Sequence, residues 1–556
     1  MNAPLRHGLL LLAATMVYSN ALANGFAQDD DIYILQNHAV TAYSFTELFS
    51  PNYFSHVFRP FTFLTLSANW FIAGAHPFAY HLINLLLHSV VTLLVYLLLR
   101  SLLEPSPEAP TIAFAAALLF AIHPIHTEAV TGIVGRSEML AAGFLITAWL
   151  LHLRERHLSA LLCFSCALLA KESAIVFLPL LLICDYARRR LQPVLCYISF
   201  AGITLLYLGT YWKVQGGRFA TVIPFLDNPL FNLPTSLRIL NALRVAWKYL
   251  GLHFYPAALS CDYSYTAITL YANGRLVGAA LASAGIVFLW GWAVFTHHAK
   301  WAVASTIYLV GFAVTSNLFF PIGTIMGERL AYLPSVGFCL LVALLWKRLE
   351  SFQPRLAWAL LITVLAALSL RTVLRNRDWH DNFTLYSAAL QVVPGSAKMH
   401  NGIAAEYARR GELNSARREF ETALAIYPAY PEALESFGLL ESITGNDQES
   451  RHHLEAALAL AQKGSVNYNF AVANLASQYI KLGENDLALK LLDQDILDSP
   501  TYARAWANRA VVRYKSGRPS EARSDAQTAL RLDPGNSQAR ALLSLLNASP
   551  PATPSN

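Results

Sequence analysis

The sequence of 556 residues predicts an all-α protein in two parts, a polytopic membrane domain followed by a soluble solenoid of helical repeats. Three observations support this prediction. Residues 1–376 contain only 38 charged residues, whereas residues 377–556 contain the same number in less than half the length. Apolar stretches approaching the roughly 20 residues that cross a bilayer recur throughout the first part. The second part repeats itself with a period of 34 residues, which is typical of helical solenoids.

The composition excludes several other classes of protein. Hydrophobic residues make up 55% of the chain, more than soluble or disordered proteins usually carry. The net charge is only +6 and no basic stripe is visible, which argues against nucleic-acid binding. Five of the six cysteines lie in apolar runs, so we expect no disulfide framework. Cys163 and Cys166 have the spacing of metal ligands, but their uncharged surroundings predict buried apolar side chains.

We predict eleven membrane spans, several of them shorter than usual. The spans lie near residues 6–24, 80–103, 111–124, 138–153, 158–170, 173–187, 193–212, 276–296, 301–320, 331–348 and 356–374. An alternative for the first span is a cleavable signal peptide that ends near Ala21-Leu22-Ala23. Segment 237–255 is apolar but carries Arg238, Arg244 and Lys248, which predicts an amphipathic helix in the membrane interface.

Basic residues in short loops predict the orientation, because such loops stay on the cytoplasmic side. They are Arg6, Arg154, Arg156, Arg188, Arg189, Arg190, Lys300, Lys347, Arg348 and Arg355. Eleven spans then place the soluble part on the outer face, together with loops 25–79, 125–137, 171–172, 213–275 and 321–330. Arg371, Arg375 and Arg377 violate the pattern, since they lie at the outer end of the last span or just beyond it.

The soluble part matches the pattern of tetratricopeptide repeats. In the first copy, Tyr407, Gly411, Ala416, Phe420 and Pro428 occupy positions typical of this repeat. Its small residues let paired helices approach closely, and its large residues fill the gaps between units. The predicted domains are a membrane domain at 1–376, a linker at 377–396, a solenoid at 397–547 with repeats 397–430, 431–464, 469–502 and 503–536 plus a closing helix, and a disordered tail at 548–556.

Ionisable residues near predicted spans are the candidates for function, because charges are costly there. Asp29, Asp30 and Asp31 directly follow the first span on the outer side. Other polar residues lie at the outer ends of different spans, so we expect them to surround one outer cavity. They are Arg59, His123, His126, Glu128, Arg136, Glu138, Lys171, Glu172, Glu328 and Arg329.

Such a cavity suits group transfer from a lipid phosphate donor. A carboxylate removes the proton from an acceptor hydroxyl, and Arg or Lys side chains neutralise the phosphate that is left. An alternative is a metal site formed by His123, His126 and Glu128. Their spacing differs from that of a helical His-x-x-x-His pair, and Pro124 prevents a regular helix before it. We therefore predict no metal ligand and no cofactor.

Seven sequence motifs run over residues 26–30, 58–62, 121–130, 135–138, 170–173, 259–264 and 327–335. The most specific are His-Pro-Ile-His-Thr-Glu and Glu-Arg-Leu-Ala-Tyr-Leu-Pro-Ser. With these motifs the chain resembles the transmembrane and tetratricopeptide-repeat-containing protein O-mannosyltransferases. The resemblance extends over almost the whole chain, from the first span through the repeats.

The resemblance implies a GT-C-type glycosyltransferase that uses a polyprenyl-phosphate sugar of the dolichyl type as donor. It implies transfer of mannose to Ser/Thr hydroxyls of proteins by an inverting, single displacement. Asp29 is then the general base, with Asp30 as the second candidate, and Arg59, Lys171 or Arg329 faces the donor phosphate. The repeats bind the acceptor protein in the periplasm or the lumen, and the membrane is the bacterial inner membrane or that of the endoplasmic reticulum.

Two rival functions stay open at this stage. The first is a glycosyltransferase that acts on a lipid or an envelope glycan. The second is a membrane scaffold without catalytic activity, whose repeats bind other proteins. A scaffold leaves the charged residues at the outer ends of many helices without explanation.

Overall fold

The computed structural model describes residues 2–42, 45–49, 57–217, 223–271, 275–463 and 465–548. The chain forms two compact units, Met1–Ser396 and Ala397–Asn556. All regular secondary structure in the described ranges is helical, which confirms the all-α prediction. Apart from residue 548, the tail predicted to be disordered lies outside the described residues.

Unit 1 contains seventeen α-helices within its described ranges. They are α1 (Ala3–Tyr18), α2 (His38–Thr41), α3 (Phe45–Leu48), α4 (Pro60–Ala73), α5 (Pro77–Leu103), α6 (Ala109–Ile122), α7 (Thr127–Val130), α8 (Arg136–Leu153), α9 (His157–Ala170), α10 (Phe177–Ala187), α11 (Val194–Val214), α12 (Thr235–Phe254), α13 (Arg275–Phe295), α14 (Ala299–Gly311), α15 (Pro334–Phe352), α16 (Pro354–Asp378) and α17 (Asn382–Val392). Short 3-10 and π turns connect several of them.

Each of the eleven predicted spans overlaps one of these helices, but fewer helices meet the requirements of a membrane span. In the described part of the chain, five helical segments are long and apolar enough to cross a membrane. They are Pro77–Leu103, Ile133–Leu153, Val194–Val214, Leu276–Phe295 and Pro354–Asp378. A sixth span arises if α6 and the segment Pro124–Val130, bent by 52°, cross together. The polytopic membrane domain is therefore confirmed, whereas the number of eleven spans is not.

Small residues let the central helices of unit 1 pack closely. Helix α6, which contains six alanines, packs against α5 and α15. On α15, a Cβ at Gly337 would collide with the backbone of Ala304 and Tyr308 on α14. Such close approach is how helices associate in a bilayer, where apolar side chains gain little by leaving lipid. This packing fixes the loops at the helix ends.

Two segments outside the predicted spans form helices in the structure. Helix α4 lies within residues 25–79, which the sequence analysis treats as a loop, and it begins at Pro60, as expected for proline at a first helical position. Helix α12 matches the predicted amphipathic segment but packs on protein. Its Arg238 is buried and donates to the carbonyls of Asn317 and Leu318.

The predicted linker at 377–396 also differs from expectation, because it contains helix α17 and belongs to unit 1. Asp381 starts this helix with a capping box, in which its carboxylate accepts the backbone N–H of Thr384 and the hydroxyl of Thr384 accepts the backbone N–H of Asp381. A capped helix of 11 residues makes this segment part of the domain rather than a flexible connection.

Unit 2 consists of consecutive antiparallel helix pairs, as predicted for the repeats. Its helices within the described residues are α18 (Ala397–Arg409), α19 (Leu413–Ile426), α20 (Pro431–Ile443), α21 (Asp447–Leu460), α22 (Val466–Leu482), α23 (Asn485–Asp498), α24 (Ala503–Lys515), α25 (Pro519–Leu532) and α26 (Ser537–Ala548). Left-handed glycines join the helices of each pair, at Gly411, Gly445, Gly483 and Gly517, with φ between 74° and 83°. These turns recur with the repeat.

Replacing such a turn glycine is expected to destabilise the solenoid locally. Gly483 has φ of +79°, where a side chain costs about 1–2 kcal/mol. Gly483→Ala should therefore accelerate amide hydrogen exchange across α22 and α23 in the full-length protein. Gly535→Ala is the matched control, because its φ lies outside the left-handed range. Equal exchange in both variants would contradict the role of the left-handed turn.

Candidate active site

The loop that carries the acidic triplet is strained and is held by the segment after the last membrane helix. Gln28 has φ of +55°, an unfavourable value for a residue with a side chain. Its backbone N–H donates to Oδ1 of Asn382 over 2.6 Å, and the N–H of Gly25 donates to the carbonyl of His380 over 2.9 Å. These bonds maintain the strained backbone immediately before Asp29.

Two of the three acids, Asp30 and Asp31, accept hydrogen bonds that hold the loop in place. Asp30 is 2% exposed, and its two oxygens accept the backbone N–H groups of Ala27 and Val134, each over 3.1 Å. Burial raises the pKa of Asp30 to about 7, although these bonds oppose the shift. Asp31 accepts a bond from Nδ2 of Asn382 over 3.3 Å. Both carboxylates thus have structural partners.

Asp29 has a different environment. Its carboxylate is 32% exposed and pairs with Nη1 of Arg329 over 2.9 Å. Glu128 holds the same arginine twice, because one of its oxygens accepts the backbone N–H of Arg329 over 2.9 Å and the other lies 3.3 Å from Nη1. One guanidinium therefore lies between two carboxylates, of which only Asp29 is substantially exposed.

A second part of the charged cluster contains two one-to-one ion pairs. Arg59 donates to both oxygens of Glu172, over 2.9 and 2.6 Å, and Lys171 pairs with Glu138 in a buried position. Although burial alone would raise it, the attraction of Arg59 lowers the pKa of Glu172 to about 2. The charges of Arg59 and Arg329 both act on Lys171, so the two parts form one electrostatic cluster.

Glu328 precedes Arg329 but bonds elsewhere. It is fully buried and accepts the backbone N–H of Ser260 and the hydroxyl of Tyr263, each over 2.6 Å. Its other oxygen lies 3.9 Å from Nη2 of Arg375. Burial raises the pKa of Glu328 to about 7, while the charge of Arg375 opposes the shift. The Glu328 carboxylate therefore holds the segment around Tyr263 in place.

Arg375 was not among the site residues predicted from the sequence, although the sequence contained a signal for it. Arg375 is 1% exposed and also pairs with Asp378 over 3.1 Å. It belongs to the group that violates the expected distribution of basic residues. Arg371 in that group donates to the carbonyls of Pro256 and Ala257. Two of the three basic residues that violate the predicted distribution, Arg371 and Arg375, therefore make internal contacts.

Three of the predicted site residues lie outside the charged cluster. Arg136 is fully buried and donates to Oδ1 of Asn84 and of Asn69, each over 2.8 Å. His123 contacts the carbonyl of His253 over 3.0 Å, and His126 contacts the carbonyl of Phe120 over 3.0 Å. Their partners are neutral groups of the protein.

The proposed alternative of a metal site finds no support in these contacts. In the part of the chain that the structure describes, no group of three His, Cys, Asp or Glu side chains is arranged to hold a metal ion. His123 also accepts the backbone N–H of Ile125 through Nδ1, so both of its ring nitrogens are engaged.

The exposed side of Asp29 opens on a small cleft. Gly135 approaches the backbone of Ala129 so closely that a Cβ would collide with it. This approach turns the chain sharply after α7 and brings residues 132–135 to the acidic loop. The cleft is lined by Ala27, Gln28, Asp29, Asp30, Glu128, Gly132, Val134, Gly135, Arg329 and Trp379. It combines a partly exposed carboxylate with a guanidinium.

Several known proteins are similar to this chain. It is 28% identical over 596 residues to protein O-mannosyl-transferase TMTC3 of Mus musculus, covering 95% of this chain and 64% of that protein. It is 29% identical over 449 residues to protein O-mannosyl-transferase F38B6.6 of Caenorhabditis elegans, covering 77% of this chain and 63% of the relative. The chain thus spans less than two thirds of the length of these relatives.

One family model and several solved structures are also similar to parts of this chain. The family model described as tetratricopeptide repeat matches residues 503–536, the fourth predicted repeat. The solved structure of MamA is 21% identical, with a TM-score of 0.25, covering 27% of this chain and 86% of that one. The similarity to the two protein O-mannosyl-transferases confirms the resemblance predicted from the sequence motifs, and the chain is a relative of these curated proteins over most of its length.

Proposed function

We propose that the protein is a membrane glycosyltransferase that moves mannose from a polyprenyl-phosphate donor to Ser/Thr hydroxyls of proteins. The observation that carries this proposal is the pairing of the partly exposed Asp29 with Arg329 at the cleft. The similarity to protein O-mannosyl-transferases supports the sugar and the acceptor class.

In the proposed reaction, Asp29 takes the proton of the acceptor hydroxyl. The freed oxygen attacks the anomeric carbon of mannose from the side opposite the phosphate, so the new bond has inverted configuration. The bond between that carbon and the phosphate oxygen breaks, and the polyprenyl phosphate leaves with both electrons. Asp29 suits this role better than Asp30, whose oxygens already accept two backbone bonds.

The cations of the cluster have a role on the donor side. The leaving phosphate gains negative charge, which Arg329 beside Asp29 is suited to neutralise. Arg59 and Lys171 add positive charge nearby, although each is already paired with a glutamate. A site that is partly closed to water strengthens these interactions.

The solenoid completes the proposal as the acceptor-binding part. Helical repeats of this kind present an extended concave surface, which suits the recruitment of a protein chain. We place the repeats and Asp29 on the same outer face, periplasmic or lumenal, following the distribution of basic residues in short loops. A lipid or glycan acceptor would instead leave the repeats to bind an accessory protein.

Removing the basicity of Asp29 is expected to abolish transfer. Asp29→Asn keeps the shape of the side chain but cannot take the proton, so transfer should fall by about 10²–10⁴-fold. The measurement is mass spectrometry of hexose on an acceptor protein, with the purified enzyme and polyprenyl-phosphate mannose in liposomes. Asp31→Asn is the matched control and should transfer at nearly the original rate. Normal transfer by Asp29→Asn would refute the proposed base.

Variants of the pair Arg59 and Glu172 can distinguish an effect on donor binding from an effect on protein stability. Arg59→Ala and Glu172→Ala both break this partly buried ion pair, so both should lower the melting temperature. Only Arg59→Ala removes a cation, and it should weaken donor binding by roughly 10–100-fold, as expected for a charged hydrogen bond. Equal donor affinity in both variants, measured by calorimetry, would restrict Arg59 to a structural role.

The proposed topology is testable with fused reporters. Alkaline phosphatase, which is active only outside the cytoplasm, should be active when fused after Asn547. The same enzyme fused after Arg190, at a loop predicted to be cytoplasmic, should be inactive. A reporter that is silent at Asn547 would move the repeats to the cytoplasm and separate them from the proposed acceptor.

A further inference from the structure

One buried carboxylate in the solenoid lies at a position where the other repeats have alanine. Asp495 on α23 is the 27th residue of the third repeat. The same position in the other three repeats holds an alanine, namely Ala423, Ala457 and Ala529. All four residues are 0% exposed. The position is therefore a packing position, and only the third repeat places an acid there.

Neither oxygen of the Asp495 carboxylate has a hydrogen-bond partner. Both Oδ1 and Oδ2 are buried, and no donor to them exists among the residues that the structure describes. The other buried acids in the described part of the solenoid each pair with an arginine, and they are Glu406, Glu441 and Asp525. A buried carboxylate without a donor or a cation is costly when it is charged, so it favours its protonated form.

The charged groups on the helices around Asp495 do not compensate it. Asp498, one turn further along α23, is itself negative, and the charges of both aspartates act on Tyr468 of α22. Lys481, the one cation of α22, pairs with Asp447. The arginines of α24 bond to other residues, namely Arg504 to Asn474, Arg509 to Asp493 and Asp525, and Arg513 to Glu521 and Asp525.

The protonation of Asp495 is therefore linked to the folding of its repeat. Burial, followed by the charge of Asp498, raises the pKa of Asp495 to about 7. In an unfolded repeat the pKa of an aspartate is about 3.9. Because the folded repeat holds the proton more tightly, its stability is greatest below the unfolded pKa. The stability declines as the pH rises from about 4 to about 7 and then stays constant.

We propose that Asp495 makes the third repeat a pH-sensitive switch within the solenoid. With a proton on this carboxyl group, α23 packs between α22 and α24. When the proton leaves, the charge has neither a donor nor a cation, so α23 separates from its neighbours until water reaches the carboxylate. The other repeats carry no titratable group at this position. The switch is independent of the proposed transfer reaction.

Hydrogen exchange of the full-length protein in nanodiscs, measured between pH 5 and pH 8, tests this proposal. The observable is the protection factor of the amides in α23, which corrects for the intrinsic pH dependence of exchange. Asp495→Asn keeps the size of the side chain but cannot ionise, and Asp495→Ala introduces the residue of the other repeats. Asp493→Asn is the matched control, because Asp493 lies on the same helix and its side chain is 52% exposed.

In the wild type, protection of α23 should fall roughly tenfold per pH unit between pH 5 and pH 6, as expected for one proton, and level off above about pH 7. Asp493→Asn should show the same fall, whereas both variants of Asp495 should show a flat profile. At pH 8, Asp495→Ala should protect α23 at least roughly tenfold better than the wild type. A flat profile in the wild type or in Asp493→Asn, or a fall that persists in either variant of Asp495, would overturn the proposal.

Discussion

The contacts of Arg329 with two carboxylates are the interaction on which the candidate site depends. Glu128 fixes this arginine through both its backbone and its guanidinium, and the guanidinium reaches Asp29. The three residues come from the loop after α1, from α7 and from the turn before α15, and up to 300 positions separate them. Glu128 is 4% exposed, whereas Asp29 and Arg329 are each 32% exposed, so the contact between Glu128 and Arg329 is the more buried of the two links that join the three segments.

The cations of the cluster differ in the number of carboxylates that each one contacts, and the proposed chemistry depends on this difference. Arg59 and Lys171 each have one glutamate, whereas Arg329 is shared between two acids. The shared cation leaves an excess of negative charge at the cleft. A phosphate that approaches Arg329 competes with Asp29 for the guanidinium. In the proposed reaction, donor binding and release of the base are therefore coupled.

The sequence predicted the types of residue at the site better than their partners. Hydropathy located the apolar helices, and α9, α10 and α14 overlap predicted spans, but their 14, 11 and 13 residues fall short of a full crossing. Position near the ends of spans assigned Asp29 and Arg329, with ten other residues, to one predicted cavity, and the structure pairs these two side chains. It could not distinguish them from Arg136, whose partners are neutral amides and carbonyls, because partners depend on packing. Trp379 carries no charge and so gave no comparable signal.

The loop around Asp29 is completed by the opposite end of the membrane domain. Gln28 bonds to Asn382, which the ribosome adds 354 residues later. At about 5–20 residues per second, this interval lasts roughly 20–70 s. The first helix is made early, but the strained backbone before Asp29 has no support until the chain has emerged beyond α16. A nascent chain therefore carries its carboxylate for most of its synthesis without a formed site, and the proposed reaction requires that the whole membrane domain has been translated.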